Sequence, residues 1–99
     1  WFLHRFKRIA DVEAEIVAHE AGIDLTIAEG LAKLGEKIRN LKEHGLAEGA
    51  STRLLIYAGR MIKNGIEARR ACQVAVAWAL TDDRDIQRSI EEVISSIFE

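Results

Sequence analysis

Apolar residues recur at helical spacing along this chain, and no proline interrupts the pattern anywhere in its 99 residues. The seven glycines fall mostly between the periodic segments, where glycine commonly ends a helix. Together these features predict an all-α fold, a compact bundle of about five helices joined by short turns. The predicted helices cover residues 11–21, 25 to about 44, a stretch within 48–65, 66 to about 80, and 84–98.

The same spacing predicts which residues face the core. In the second helix the apolar residues are separated by four, three, four and three positions, a narrow heptad-like seam for packing against other helices. The predicted core-facing residues are, in chain order, Val12, Ile16, Val17, Ile27, Leu31, Leu34, Ile38, Leu41, Leu54, Leu55, Tyr57, Ala58, Met61, Ile62, Ala71, Val74, Ala75, Trp78, Ile86, Ile90, Val93, Ile94 and Ile97.

Size and charge limit the classes of protein to which this chain can belong. The chain is long enough for one small domain, and its 48% hydrophobic and 30% charged residues are typical of a folded globular protein. A net charge of −2 gives no general attraction to nucleic acid or anionic membranes, so neither is an expected partner. Cys72, the only cysteine, lies in an apolar helical run, which favours a buried, inert thiol. A cytoplasmic location is the expectation.

The N-terminal residues differ from the rest of the chain. Residues 1–9 alternate bulky apolar residues with basic ones and do not begin with Met. We predict a leader or divergent segment at 1–9, able to form a short helix, and one helical domain at 10–99. The chain as a whole is expected to be a truncated or excised piece.

The stretch 48–65 carries signals for both ends of a helix. Ser51 or Thr52 can act as the N-cap, because a hydroxyl there accepts a free backbone N–H of the first turn. Gly65, with Asn64 as a second candidate, lies where helices commonly end in the left-handed conformation.

Arg53 is out of place in that helix. It falls in the first turn, where the helix dipole presents partial positive charge and disfavours a cation. Two interpretations remain open from the residues alone. Arg53 is either a surface side chain, paired with Glu48, or a cation that meets an anion supplied from outside the helix.

No catalytic or metal-binding constellation is recognisable. The dipeptide His19-Glu20 lacks the second histidine of a zinc-protease helix, and the three histidines of the chain stand far apart. Residues 30–37 resemble a phosphate loop only superficially, because Glu36 separates the glycine from the lysine and no strand precedes them. Asp82 and Asp83 are explained as N-capping residues of the last helix. We therefore predict no catalytic residues and no metal site.

Four longer stretches carry a resemblance to a known family: EAEIVAHEAG at 13–22, KLGEKIRNLKEHGLAEGASTRLLIYAGRMI at 33–62, RRAC at 69–72 and LTDDRDIQRSI at 80–90. Over residues 11–98 the chain resembles the C-terminal domain of the CbbQ/NorQ/NirQ group, within the MoxR branch of AAA+ ATPases. The resemblance covers about nine-tenths of the domain and is more specific than any short motif in the sequence.

That resemblance implies a helical lid with a nucleotide-sensing role behind an AAA+ core. It implies that Arg53 is the second sensor arginine, which reaches the ATP phosphates at a subunit interface, and that Ser51 and Thr52 support the start of its helix. The implied partners are the AAA+ core, neighbouring ring subunits and a client enzyme, of rubisco or nitric oxide reductase type, that is activated or assembled. ATP and Mg²⁺ are implied for the parent protein, whereas no cofactor and no ATPase activity are expected of this chain alone.

Two other functional classes compete with a lid. The helix ending at Lys63 and the following helix with Arg69 and Arg70 could form a DNA-binding helix-turn-helix, although the net charge and the alanine-rich second helix argue against it. A plain protein-interaction module is the other alternative. A lid without its core should also expose apolar surface, so we predict self-association, most simply as a symmetric dimer.

Overall fold

The structure is a computed structural model, which describes residues 9–40 and 51–98. Within these ranges the chain is an all-α bundle of five helices without a strand, which confirms the predicted fold class. The helices are α1 (Ile9–Ala21), α2 (Leu25–Asn40), α3 (Thr52–Lys63), α4 (α-helical at Ala68–Cys72 and Trp78–Leu80, π-helical at Gln73–Ala77) and α5 (Arg84–Ile97).

The helix ends agree closely with their sequence signals. Gly22 and Gly65 adopt positive φ, 72° and 98°, just beyond α1 and α3. Asn64, the second candidate for the left-handed end of α3, has a φ of −85° and does not adopt that conformation. Asp83 caps α5 through a carboxylate oxygen that accepts the Asp85 amide at 2.9 Å, as predicted.

Two helix starts differ from the prediction. α1 begins at Ile9 instead of residue 11, and α4 begins at Ala68 instead of residue 66. The predicted end of α2 near residue 44 and the candidate core residue Leu41 lie outside the described residues.

The core centres on α2, whose predicted seam is buried. Leu31, Leu34 and Ile38 are fully buried, and Ile27 packs against them. α1 and α3 pack on α2 and on each other, α4 packs on α3, and α5 packs on α2 and α4. Leu55 on α3 and Ile90 on α5 are also fully buried. No described helix is both long and apolar enough to cross a membrane.

Of the three residues of α1 predicted to face the core, only Val17 does so. Val12 and Ile16 are 42% and 46% exposed, whereas Val17 is buried together with Ala14 and Ala21. The reason is the close approach of α3, since a Cβ added at Gly59 would lie 2.8 Å from the Ala21 Cβ. At this point of closest approach only a small residue such as Ala21 fits between the helices, so the side of α1 with Ala14, Val17 and Ala21 faces inward.

The regular helix predicted for α4 is interrupted by a π-helical turn at Gln73–Ala77. A π-turn takes more residues than an α-turn, so it rotates the later residues of the helix about the axis. Val76 and Ala77 are consequently buried, while Trp78, which regular spacing placed in the core, is 44% exposed. Tyr57 on α3 was likewise predicted to be buried and is exposed.

The start of helix α3 as candidate functional site

Ser51 begins helix α3. Its backbone is extended (φ −81°, ψ 158°), and its hydroxyl accepts the amide of Leu54 at 3.4 Å, which is a long hydrogen bond. The Ser51 carbonyl accepts the same amide at 3.1 Å. Ser51 is therefore the N-cap, and Thr52 is the first residue of the helix.

Arg53 is the second residue of α3, and its side chain is exposed. No hydrogen bond or ion pair joins its guanidinium to another residue within 9–40 and 51–98. Its suggested partner Glu48 lies outside the described residues. The first turn of α3 contains no acidic residue, so within the described part of the chain a cation sits unbalanced at the positive end of the helix dipole.

Thr52, the residue before Arg53, contacts a buried carboxylate. Glu13 on α1 is only 6% exposed, and it accepts hydrogen bonds from two other helices. Arg39 near the end of α2 binds it through two nitrogens, at 3.1 Å and 2.6 Å. The hydroxyl of Thr52 donates to the Glu13 Oε2 atom at 2.6 Å. We call these three residues the Glu13 network.

The ion pair in the Glu13 network is a strong one because it is bidentate and partly buried. The hydrogen bond to Glu13 raises the pKa of Arg39, against the opposite effect of desolvation. Removing Arg39 would leave the buried Glu13 carboxylate without its ionic partner, at a cost of about 3–5 kcal/mol in comparable buried pairs, whereas Arg39 is 38% exposed and loses less when Glu13 is removed. The network therefore fixes α1, α2 and the start of α3 relative to one another.

Neither Glu13 nor Arg39 was predicted as a site residue from the sequence. One signal pointed to Glu13, since it is four residues before Val17 and eight before Ala21 and so lies on the same side of α1. A charged residue on a buried stripe requires a charged or hydrogen-bonding partner. Nothing in the sequence identified Arg39 as that partner, because 26 residues separate the two.

A cleft lies between α4 and α5, on other residues than the start of α3. This cleft has a volume of about 560 Å³ and carries charges of both signs, with Arg69 and Arg70 opposite Glu91. The arginines serve the protein's own structure: Arg69 donates to the carbonyl of Phe98 at 2.7 Å, and Arg70 lies 5.1 Å from the Trp78 ring centre. These contacts weaken the helix-turn-helix interpretation, which needs both arginines for DNA.

The described residues offer neither a metal site nor a reactive thiol. No three His, Cys, Asp or Glu side chains within 9–40 and 51–98 lie close enough together to hold a metal ion. Cys72 is fully buried, and burial raises the pKa of its thiol to about 12. A neutral, inaccessible thiol is a poor nucleophile.

The family described as CbbQ/NirQ/NorQ C-terminal matches residues 13–97 of the chain. Protein CbbQ of Hydrogenophilus thermoluteolus is 44% identical over 88 residues, which are 89% of this chain and 33% of that protein. Protein NorQ of Paracoccus denitrificans is 42% identical, covering 87% of this chain and 32% of NorQ. Denitrification regulatory protein NirQ of Pseudomonas aeruginosa is 42% identical, covering 86% and 33%. The chain thus spans about a third of the length of these relatives.

Proposed function

This chain belongs to the CbbQ/NirQ/NorQ C-terminal family, and from that premise we propose that it is the nucleotide-sensing lid of a MoxR-type AAA+ ATPase. The all-α bundle and the exposed start of α3 support this role. In the proposal the lid packs on an AAA+ core and on neighbouring ring subunits. It contributes to nucleotide-dependent activation or assembly of a client enzyme of rubisco or nitric oxide reductase type, in the cytoplasm.

The observation that carries the proposal is the exposed guanidinium of Arg53 at the N-terminal end of α3. The helix dipole at this end attracts an anion and disfavours an isolated cation. A phosphate facing Arg53 would interact favourably with both the guanidinium and the dipole. A planar guanidinium also suits phosphate geometry, because it can form two parallel hydrogen bonds.

ATP and Mg²⁺ would be bound largely outside this chain. Arg53 fits a phosphate by charge and exposure, and Ser51 and Thr52 hold the helix start that carries it. The bound nucleotide supplies the phosphoryl group that is hydrolysed, and this chain's part is to hold a cation against its phosphates. In the proposal Mg²⁺ is held by the core together with the nucleotide phosphates, since Mg²⁺ in such sites binds one or two carboxylates plus phosphate oxygens.

Replacement of Arg53 in the complete ATPase tests the proposal. A charge-assisted hydrogen bond to phosphate contributes roughly 1.5–3 kcal/mol, so Arg53→Ala should lower nucleotide affinity or hydrolysis by about tenfold to a hundredfold. The measurements are the steady-state rate of ATP hydrolysis and titration with a non-hydrolysable ATP analogue.

Arg60→Ala is the matched control. Arg60 is exposed on the same helix, but in its last turn, so this variant removes an identical charge from the opposite end. We expect its hydrolysis rate and nucleotide affinity to stay within about twofold of the unmodified protein, the usual range for surface substitutions. Equal behaviour of the two variants would refute the sensor role.

A further inference from the structure

The geometry assigns a positioning role to Thr52: its hydrogen bond to Glu13 fixes the direction in which Arg53 points. This inference rests on the proposed nucleotide-sensing function and names the residues that keep Arg53 in place. Thr52 and Glu13 would act through Arg53, and neither would touch the nucleotide.

The first step is the helical geometry of neighbouring residues. Successive side chains on an α-helix are rotated by about 100°. Thr52 points inward, because its hydroxyl lies 2.6 Å from a carboxylate oxygen of the buried Glu13. Leu55, one turn later on the same side, is fully buried. With these two residues facing the bundle, Arg53 is directed outward.

The second step is that Glu13, which accepts the Thr52 hydrogen bond, is itself held in place. The same Glu13 oxygen that accepts the Thr52 hydroxyl also accepts Arg39 at 2.6 Å, so the carboxylate is held from a third helix. Thr52 therefore donates to an acceptor that cannot easily move away.

The third step concerns the space around the network. Gly35 on α2 lies against it: an added Cβ would be 2.9 Å from the Leu55 side chain and 3.7 Å from Glu13 and Arg39 atoms. The lack of a side chain at this position allows α2 and α3 to approach closely on either side of the carboxylate. Packing and hydrogen bonding thus both restrict rotation of the first turn of α3.

A double-mutant cycle in the complete ATPase tests this role. Thr52→Val keeps the shape of the side chain and removes only the donor, whereas Thr52→Ser keeps a hydroxyl. Thr52→Val should weaken binding of a non-hydrolysable ATP analogue by about three- to tenfold, less than the loss in Arg53→Ala, because Arg53 is still present and only its direction is less well fixed. Thr52→Ser should restore most of the affinity. Thr52→Val combined with Arg53→Ala should bind no more weakly than Arg53→Ala alone, because Thr52 acts through Arg53.

Two measurements separate positioning from a general loss of structure. Hydrogen exchange at the Leu54 and Leu55 amides, in the first turn of α3, should accelerate in Thr52→Val while amides of α5 stay unchanged. Thr26→Val is the matched control, since Thr26 is an exposed threonine in the first turn of α2. It should leave both the affinity and the exchange at α3 unchanged.

The outcomes distinguish this inference from the proposed function. If Arg53→Ala weakens nucleotide binding but Thr52→Val does not, the positioning role is wrong and the sensor role stands. If the losses in the double variant simply add, Thr52 acts independently of Arg53 and the inference is overturned. If Arg53→Ala has no effect, the sensor role is refuted, and the positioning role that depends on it is refuted too.

Discussion

Thr52 and Arg53 are neighbours in sequence and lie in opposite environments. The Thr52 hydroxyl is bound to a buried carboxylate, while Arg53 extends into solvent at the positive end of the helix. The anomaly at Arg53 was visible in the sequence, because a cation in a first turn violates a local electrostatic preference. The Glu13–Arg39 pair was not visible, because it depends on how α1 and α2 pack.

Arg53 should contribute almost nothing to the stability of this chain. Arg53→Ala removes an unfavourable contact with the helix dipole, so the free energy of unfolding should change by less than about 0.5 kcal/mol or rise slightly. Arg60→Ala removes a favourable cation from the last turn and should cost about 0.3–1 kcal/mol. Urea denaturation of both variants checks this. A large loss of stability in Arg53→Ala would mark Arg53 as a structural residue.

Cys72 should make stability depend on pH in the alkaline range. Burial raises the pKa of the folded-state thiol to about 12 from an ordinary 9.0, so between these values the thiol ionises only in the unfolded state. The contribution of the neutral Cys72 thiol to the free energy of unfolding is fully present below pH 9 and is lost as the pH rises toward 12. The loss approaches about 1.4 kcal/mol per pH unit.

Cys72→Ala provides the comparison for this pH effect. It lacks the thiol and keeps every other titrating group, so urea denaturation at several alkaline pH values should show a shallower loss of stability. Identical slopes in both proteins would show that ionisation of Cys72 is not suppressed by folding.

At the scale of elements, periodicity predicted α2 and α5 well and α1 and α4 less well. The seam of α2 and the stripe of α5 contain large apolar residues on one side only, so burial follows hydrophobicity. On α1 the bulky Val12 and Ile16 were predicted to face the core, but the close approach of α3 at Ala21 turns a different side of the helix inward. The π-turn at Gln73–Ala77 could not be predicted from the spacing of the apolar residues in this segment.

The contact between α1 and α3 depends on Gly59. In Gly59→Ala the added Cβ would meet the Ala21 Cβ at 2.8 Å, and neither atom can rotate away. Overpacking of this kind costs about 1–3 kcal/mol, whereas replacing a helical glycine by alanine gains at most about 1 kcal/mol. Gly59→Ala should therefore lower the midpoint of thermal unfolding.

Gly30→Ala is the control for this element. Its added Cβ would approach the Phe98 ring at 2.9 Å and an Ile97 methyl group at 3.3 Å, but both belong to the ends of rotatable side chains. The gain in helix propensity should then prevail, leaving stability unchanged or higher by up to about 1 kcal/mol. A higher unfolding midpoint for Gly59→Ala than for Gly30→Ala would contradict the close packing of α1 on α3.

At the scale of the whole molecule, the described bundle leaves several large apolar side chains exposed. Val12 and Ile16 are one turn apart on α1 and form one exposed strip. In the proposed lid these residues would be available to cover another surface. The sequence predicted an all-α fold with exposed apolar surface. It wrongly placed Val12 and Ile16 in the core, whereas both lie on the exposed surface.

The exposed strip leads us to expect self-association of this chain, most simply as a symmetric dimer. Sedimentation velocity at high micromolar concentration should show a dimer, and Ile16→Glu should shift the population to monomer, because a dimer contact would bury the new charge. Glu20→Lys, one turn further along α1, changes an exposed residue that is already charged and should leave association intact. A clean monomer throughout would contradict this expectation.

The position of Arg53 relative to bound nucleotide decides whether this bundle is a nucleotide-sensing lid. The measurement is the distance from the Arg53 guanidinium to the nearest phosphate oxygen in an experimental structure of the complete ATPase with a non-hydrolysable ATP analogue. We predict a charge-assisted hydrogen bond of about 2.7–2.9 Å, with the Thr52 hydroxyl still bound to Glu13. A guanidinium directed into solvent, or bound to an acidic residue of its own chain while nucleotide occupies the core, would contradict the sensor role.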